Sequence, residues 1–453
     1  MSRMFGTDGV RGVANDALSC ELAMQIGLAG AYVLSKNEKH PRIIIGTDTR
    51  KSKDMLKCAL EAGICSAGGC VLDAGVIPTP ALAYLTRKYN ANAAVMISAS
   101  HNPMQDNGIK WFDNCGYKIS NEIEDEIEAV IKQGCVTERP LGGEIGTITE
   151  LKSAKEDYIS FLCSACDGDF SGVHVALDCA NGASSEFAPE VFRRLGARVS
   201  VTSNEPDGCN INASCGSTHI ENLTEFMKDK GADVGFAFDG DADRLIAADE
   251  NGNEVNGDTI MGICALAMHA QGKLKKDTLV ITVMSNLGLK KRMQEAGIKV
   301  EETAVGDKYV LQCIRENGYN LGGEQSGHII FFDHNTSGDG MLSAIMLLDT
   351  LMQSGKKLSH LAAGIPILPQ HLLNVQVDRA LMETAKKDGD MQKRIETVKE
   401  QLGDSGRVLV RASGTEPLIR IMLEGADRED IKAKAQYIAE PLLKKYDGVC
   451  RNK

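Results

Sequence analysis

This chain predicts an α/β fold: three similar α/β domains with mixed sheets, then a smaller α+β C-terminal domain, arranged around one central cleft. Three observations carry that expectation. One pattern of alternating β-rich and helical runs recurs three times; each copy ends in a short loop dense in charged, hydroxyl and small residues; and the pattern changes character near residue 369.

In the first copy, residues 42–47 read as a buried strand, 52–67 as a helix, 70–73 as a strand and 81–89 as a helix. A further strand at 93–97 runs into Ser98-Ala-Ser-His-Asn-Pro103, so Ser100 falls just past a strand's carboxyl end. The second copy repeats this as strand 173–178, helix 186–195, strand 198–202, helix 221–230 and strand 233–238, which delivers Asp239-Gly-Asp-Ala-Asp-Arg244. The third has strand 278–283, helix 287–296, strand 299–303 and helix 308–316, and its closing strand leads into Gly322-Gly-Glu-Gln-Ser-Gly-His328. Beyond residue 369 come a strand at 373–377, a polar helix to 402, strands at 407–410 and 420–424 and a terminal helix. This last segment carries Arg411-Ala-Ser-Gly-Thr-Glu-Pro417. The expected domains are therefore 1–155, 156–256, 257–368 and 369–453. Helices alternating with strands imply sheets covered on both faces, and such sheets bind ligands beyond the carboxyl ends of their strands.

At 453 residues the chain exceeds a single hydrophobic core, and its 43% hydrophobic and 25% charged content is that of an ordinary globular protein. A net charge of −12 argues against nucleic acid as a partner, and it requires that any anionic substrate meet locally concentrated Arg and Lys. No signal-peptide core and no run of roughly 20 apolar residues is present, so the expectation is a cytoplasmic protein without a membrane partner. The 14 scattered cysteines read as reduced, and the one CxxC, Cys163 with Cys166, as a structural thiol pair.

Asp239, Asp241 and Asp243 alternate along a glycine-containing segment that lets three carboxylates converge, and three like charges need a cation. Hard oxygen ligands suit Mg²⁺, one per chain, with Arg244 adding a fixed positive charge. Ser100 lies in a turn stiffened by Asn102-Pro103 and extended by Gly108; alone it reads equally as a turn former, but a phosphate on it could join the same cation. His101 beside it is a candidate catalytic group, and Lys110 could shuttle a proton. Glu324 and Ser326 fall on one side if their segment is extended, which suits vicinal sugar hydroxyls. His328 is either a core histidine or a member of this site. Arg411, Ser413, Gly414 and Thr415, joined by Arg420, read either as a phosphate cradle or as a plain hairpin loop. Arg11 in Gly6-Thr-Asp-Gly-Val-Arg-Gly12 faces either phosphate or a structural carboxylate.

Taken together, these five segments resemble the α-D-phosphohexomutase superfamily, with its signature loops in order over essentially the whole chain and closest to an amino-sugar branch. The resemblance implies interconversion of glucosamine 6-phosphate and glucosamine 1-phosphate, which feeds synthesis of UDP-N-acetylglucosamine for cell walls. It implies that Ser100 is the phosphoserine, that Asp239, Asp241 and Asp243 hold Mg²⁺, and that Lys110 is the acid/base lysine. Glu324 and Ser326 then match the sugar-hydroxyl loop, and Arg411, Ser413, Gly414, Thr415 and Arg420 the loop for the non-reacting phosphate. Gly306 and Asp307 occupy a sugar-side loop where some members carry a histidine, so Asp307 departs from the pattern. The implied route passes through a sugar bisphosphate that turns end for end, with that bisphosphate as activator and a C-terminal domain that loosens and closes. A small phosphosugar is thus the expected partner, with activation by phosphorylation of Ser100 and a homodimer as the candidate assembly. The alternatives are a phosphomannomutase or phosphoglucomutase preferring a neutral sugar, a phosphatase with Asp239 as nucleophile, and a non-catalytic sugar-phosphate sensor.

Overall fold

The computed structural model describes residues 3–6, 8–34, 38–135, 138–413 and 417–451. The chain divides into two compact units, one of Met1–Met284 with Ala296–Gly364, the other of Ser285–Glu295 with Ile365–Lys453.

Three sheets build the first unit, and each repeats one local topology. Strand Arg42–Thr47 lies between Cys70–Val76 and Ala93–Ile97, parallel to both. In the same way His174–Asp178 lies between Arg198–Thr202 and Val234–Phe238, and Thr278–Thr282 between Lys299–Thr303 and Leu321–Gly323. The chain therefore leaves the central strand in one direction, returns, and crosses to the opposite side, which opens a crevice at the strands' carboxyl ends.

The third parallel strand of each sheet then turns back as an antiparallel partner, namely Asp106–Asp113, Leu245–Ala248 and Ile329–Phe331. The three polar loops are the connections of these hairpins. The sequence reading missed these return strands and treated Gly108 as part of a longer turn. Asp106–Asp113 is nonetheless a strand, because Ser98 N–H donates to the Gly108 carbonyl at 2.9 Å. A Cβ at Gly108 would stand 2.6 Å from the Ser98 carbonyl oxygen, so the glycine that reads as a turn signal is there for close strand approach. Val10–Val13 adds beyond that strand, and Ile148–Glu150 closes the other edge of a six-stranded sheet.

Core formation follows from the apolar strand faces. Ile43, Ile45, Val95, Ile97, Ile109 and Trp111 pack in one cluster against the helices Cys20–Leu34 and Lys53–Ser66. Truncating a buried aromatic such as Trp111 typically costs about 3–5 kcal/mol. Several helices escaped the sequence reading, among them Cys20–Leu34, Asn121–Lys132 and Ala154–Cys163, and also Gly257–Ala270, capped by the Asn256 side chain, and Gly340–Ser354, capped by Asp339. The last two are the most enclosed. Both are buried over most of their length, so neither shows the polar stripe by which a surface helix is recognised.

Asp339 also accepts from Tyr158 at 2.8 Å and from Asn335 at 3.1 Å, and burial pushes its carboxyl up to about 6. Its folded value exceeds the ordinary 3.8, so the protonated acid favours the fold. That contribution is complete below about pH 4 and is lost as pH rises through 6; two pH units correspond to about 3 kcal/mol. Asp339→Asn should abolish this dependence, so the wild type should lose a few degrees of Tm relative to the variant between pH 4 and 6.5. Parallel Tm curves for the two proteins would refute the assignment.

The second unit is a four-stranded antiparallel sheet in the order Arg407–Ala412, Leu418–Glu424, Gln370–Gln376, Val449–Arg451, covered by helices Gly389–Leu402 and Arg428–Lys445. Val375, Ile395, Ile421, Leu423, Ile431 and Ile438 belong to its core. Helix Leu287–Glu295, read from sequence within the third copy, clusters with this unit. Asn286 exchanges two 2.9 Å hydrogen bonds with the backbone of Leu368, and Leu287 N–H donates to Glu424 at 3.0 Å. Glu424 in turn accepts from Arg407 at 2.6 Å.

No helix among the described residues is long and apolar enough to cross a membrane. Cys163 and Cys166 are free thiols, and burial pushes both up in pKa, which keeps them protonated.

Candidate active site

The hairpin loops of the first two sheets meet. Ser100, at the turn after Ala93–Ile97, donates its hydroxyl to Asp239 Oδ2 at 2.5 Å. Asp239, Asp241 and Asp243 follow Val234–Phe238 directly, and Ala242 between the last two takes φ +57°, which turns the segment so that all three carboxylates converge. One oxygen of each lies within 4.8 Å of the others. Ser100 and the three aspartates are each at most 4% exposed.

Burial, and then the charges of Asp243 and Asp241, push Asp239 well above the carboxylate range. Asp243 moves the opposite way: burial opposes ionisation, but His328, Lys110 and Arg244 outweigh it. Asp241 Oδ1 and Asp243 Oδ1 are buried without a hydrogen-bond partner. Three carboxylates with one oxygen each within 4.8 Å of the others, and buried oxygens left without hydrogen-bond partners, are the donor set of a hard divalent cation.

A ring of alternating charge surrounds the aspartates. Lys110 Nζ, 1% exposed, lies 2.9 Å from Asp241 and 3.0 Å from Asp8. Burial opposes its charge, but these two carboxylates hold it protonated. Asp8 also pairs with Lys118, which is 2.6 Å from Asp307. His328 lies 3.5 Å from Asp243 and 3.7 Å from Asp307. Burial disfavours its cation, yet the two carboxylates raise it to about 9. Its reading thus moves from an open choice to a charged bridge between loops. Asp307 serves as the carboxylate partner of Lys118 and His328.

Arg11 pairs with Asp8 and lies 3.4 Å from Asn102, so it meets a carboxylate here. Arg244 lies 3.9 Å from Asp239 and 3.7 Å from Asp243. His101 Nδ1 is 3.4 Å from Ser100 Oγ; burial, with the Arg244 and Arg11 charges, pushes the imidazole down to about 4, so it is neutral at pH 7.

The third loop departs from expectation. Glu324 to Gly327 form a turn closed by Gly327 N–H to the Glu324 carbonyl, because the chain must reverse between Leu321–Gly323 and Ile329–Phe331. The extended geometry expected for Glu324 and Ser326 is therefore absent, and the turn brings Ser326 Oγ within 3.4 Å of Glu324 Oε2. Glu324 also accepts from Gly306 N–H at 3.0 Å. Ser326 and Arg244 line a cavity of about 420 Å³ together with Ser217, Thr218 and Asn256.

In the second unit, Arg411 and Arg420 stand directly opposite on neighbouring antiparallel strands. Ser413 N–H closes the hairpin onto the Leu418 carbonyl at 2.8 Å, while Gly414 and Thr415 lie outside the described residues.

Sequence reasoning missed Asp8, Thr79 and Lys118. Asp8 was visible within the Arg11 motif. Thr79, which donates to Asp241 at 2.7 Å, carried no local signal.

These features define a buried serine beside an acidic cation cradle, ringed by lysine, arginine and histidine. Comparison with known families identifies the class: the chain belongs to the phosphoglucomutase/phosphomannomutase family. It matches alpha/beta/alpha domain I over residues 2–135, domain II over 156–252, domain III over 256–367 and the C-terminal domain over 372–440. Among individual relatives, it is 51% identical to a phosphoglucosamine mutase from a Thermoanaerobacter species, over 98% of this chain and 100% of that one. It is 53% identical to the phosphoglucosamine mutase of Acetivibrio thermocellus, over 96% and 97%. A crystal structure of a phosphoglucomutase/phosphomannomutase family protein from Burkholderia thailandensis shares the fold, with TM-score 0.82 at 22% identity over 98% of each chain.

Proposed function

We propose that the chain interconverts glucosamine 6-phosphate and glucosamine 1-phosphate, as an isomerase-class phosphotransferase working through a phosphoserine at Ser100. One observation carries this reading: the 2.5 Å hydrogen bond from the Ser100 hydroxyl to Asp239 within the buried carboxylate cradle. It sets the oxygen that would bear a phosphoryl group against the donor set for a cation.

A Mg²⁺ held by Asp239, Asp241 and Asp243 would neutralise charge on the transferring phosphoryl group. A sugar hydroxyl attacks the phosphorus of phosphoSer100; the new sugar O–P bond forms as the P–Oγ bond breaks, and the proton released by the hydroxyl ends on Ser100 Oγ. The resulting sugar bisphosphate reorients, and Ser100 Oγ takes back the other phosphoryl group. Lys110, kept charged by Asp241 and Asp8, is our candidate for managing that proton. Arg244 and His101 flank the reacting oxygen, Glu324 and Ser326 bind sugar hydroxyls beside Gly306 and Asp307, and Arg411, Ser413 and Arg420 hold the phosphate not in transit. A sugar bisphosphate primes the enzyme by phosphorylating Ser100. The names of the relatives near 50% identity support the amino sugar as substrate, and we take the setting to be cytoplasmic.

The reading is tested by turnover on the 6-phosphates of glucosamine, glucose and mannose with Mg²⁺ and a bisphosphate activator. The kcat/KM for glucosamine 6-phosphate should exceed the others by at least about tenfold, some 1.4 kcal/mol of discrimination. Equal or better use of a neutral sugar would replace it with a phosphoglucomutase or phosphomannomutase.

A further inference from the structure

The geometry points to Arg50 and Asn212 as a pair of positioning residues that hold Ser100 in its reactive conformation by gripping the carbonyl oxygens of its loop. Ser100 has φ +53°, a left-handed conformation that a serine keeps only when its surroundings impose it. Both of its backbone polar groups are committed. Its N–H donates to Ser98 Oγ at 2.9 Å, and Ser98 Oγ–H donates to Asp48 Oδ2 at 2.7 Å. Its carbonyl accepts from Arg50 Nη2 at 3.0 Å and from Asn212 Nδ2 at 2.9 Å.

Arg50 is wholly buried and spans the loop. Its guanidinium reaches the carbonyls of Asn102 at 2.8 Å and Pro103 at 2.5 Å, while Nε rests on Asp48 at 2.9 Å. The fork holds three carbonyls and the Asp48 carboxylate from three separate nitrogens, whereas a lysine has three donors on a single nitrogen and cannot reach all four acceptors. Asn212 comes from the neighbouring sheet's loops, anchored by its own N–H to Ala180 at 2.9 Å, and also grips Asn102 at 3.0 Å. A Cβ at Gly240 would stand 2.6 Å from the Ser100 carbonyl and 3.0 Å from Asn212 Nδ2, so this grip lies directly against the aspartate loop. Arg50 therefore fixes the serine loop within its own domain, and Asn212 fixes its spacing from Asp239. Phosphoryl transfer depends on such placement, where an error of about 1 Å costs on the order of 10²-fold in rate.

This inference rests on the mutase reading, and one experiment separates the two. Wild type, Arg50→Lys and Asn212→Ala are compared for kcat, KM, Tm and, by intact mass, phosphate taken onto Ser100 from glucose 1,6-bisphosphate. Each variant should lose about 10²-fold in kcat with KM within threefold of wild type, and should still accept phosphate. If Arg50→Lys does not fold, Asn212→Ala decides the matter. Folded variants with kcat within threefold of wild type would overturn the inference alone, as would a rise in KM at unchanged kcat. A wild type without turnover would overturn both readings.

Discussion

Replacing Ser100 by alanine is expected to abolish mutase turnover, with kcat falling on the order of 10⁴-fold or more, the scale seen when a covalent nucleophile is removed. The substitution deletes one oxygen whose hydrogen bond goes to Asp239, and the loop's carbonyl and N–H partners do not depend on that oxygen. The fold should survive, with Tm within a few degrees of wild type. Intact mass should show one phosphate on the wild type after incubation with a sugar bisphosphate and none on the variant. The same variant separates the reading from a phosphatase with Asp239 as nucleophile, because that enzyme would keep its activity without the serine. Retained turnover with no phosphoform in either protein would sink the phosphoserine mechanism.

The second large effect concerns the cation. Stripping divalent metal with a chelator, then removing the chelator, should lower kcat by at least about 10³-fold, equivalent to about 4 kcal/mol of transition-state stabilisation, and added Mg²⁺ should restore it. A readout apart from activity follows from the electrostatics. Asp239 is pushed strongly up by burial and by its two acidic neighbours, so a divalent cation should relieve that repulsion. Mg²⁺ should therefore raise Tm at pH 7, and Asp243→Asn should weaken that rise. Full activity in protein shown by elemental analysis to be metal-free would refute the assignment.

Much of the architecture was legible because each sheet is built from contiguous β and helical runs with short connections. The strands at 42–47, 93–97, 198–202 and 299–303 agree with the structure at both ends. Of the elements that were lost, some lack a distinctive pattern, whereas the amphipathic helix Asn121–Lys132, capped by Ser120, had one. Gly257–Ala270 and Gly340–Ser354 are enclosed by protein and show no polar face, and Asp106–Asp113 opens with Asp-Asn-Gly, a turn signal that strand pairing overrides. The Glu324 loop failed for a related reason: an alternating pattern implies an extended segment only where the chain does not reverse.

By itself, the sequence determined the chemistry of the loops. Three aspartates at alternate positions, a serine after a strand and a glutamate two residues from a serine are contiguous motifs, and their donor types do not depend on what folds against them. The tertiary structure decided which charges pair and what holds the serine. Asp8 meets Lys110 and Lys118, His328 bridges Asp243 and Asp307, and Arg50 and Asn212 converge on one carbonyl from two different sheets' loops. Those partners lie far apart in the chain, and only the crossing of each sheet's strands brings their ends to a common edge. There, low exposure converts separate side chains into one coupled set of charges.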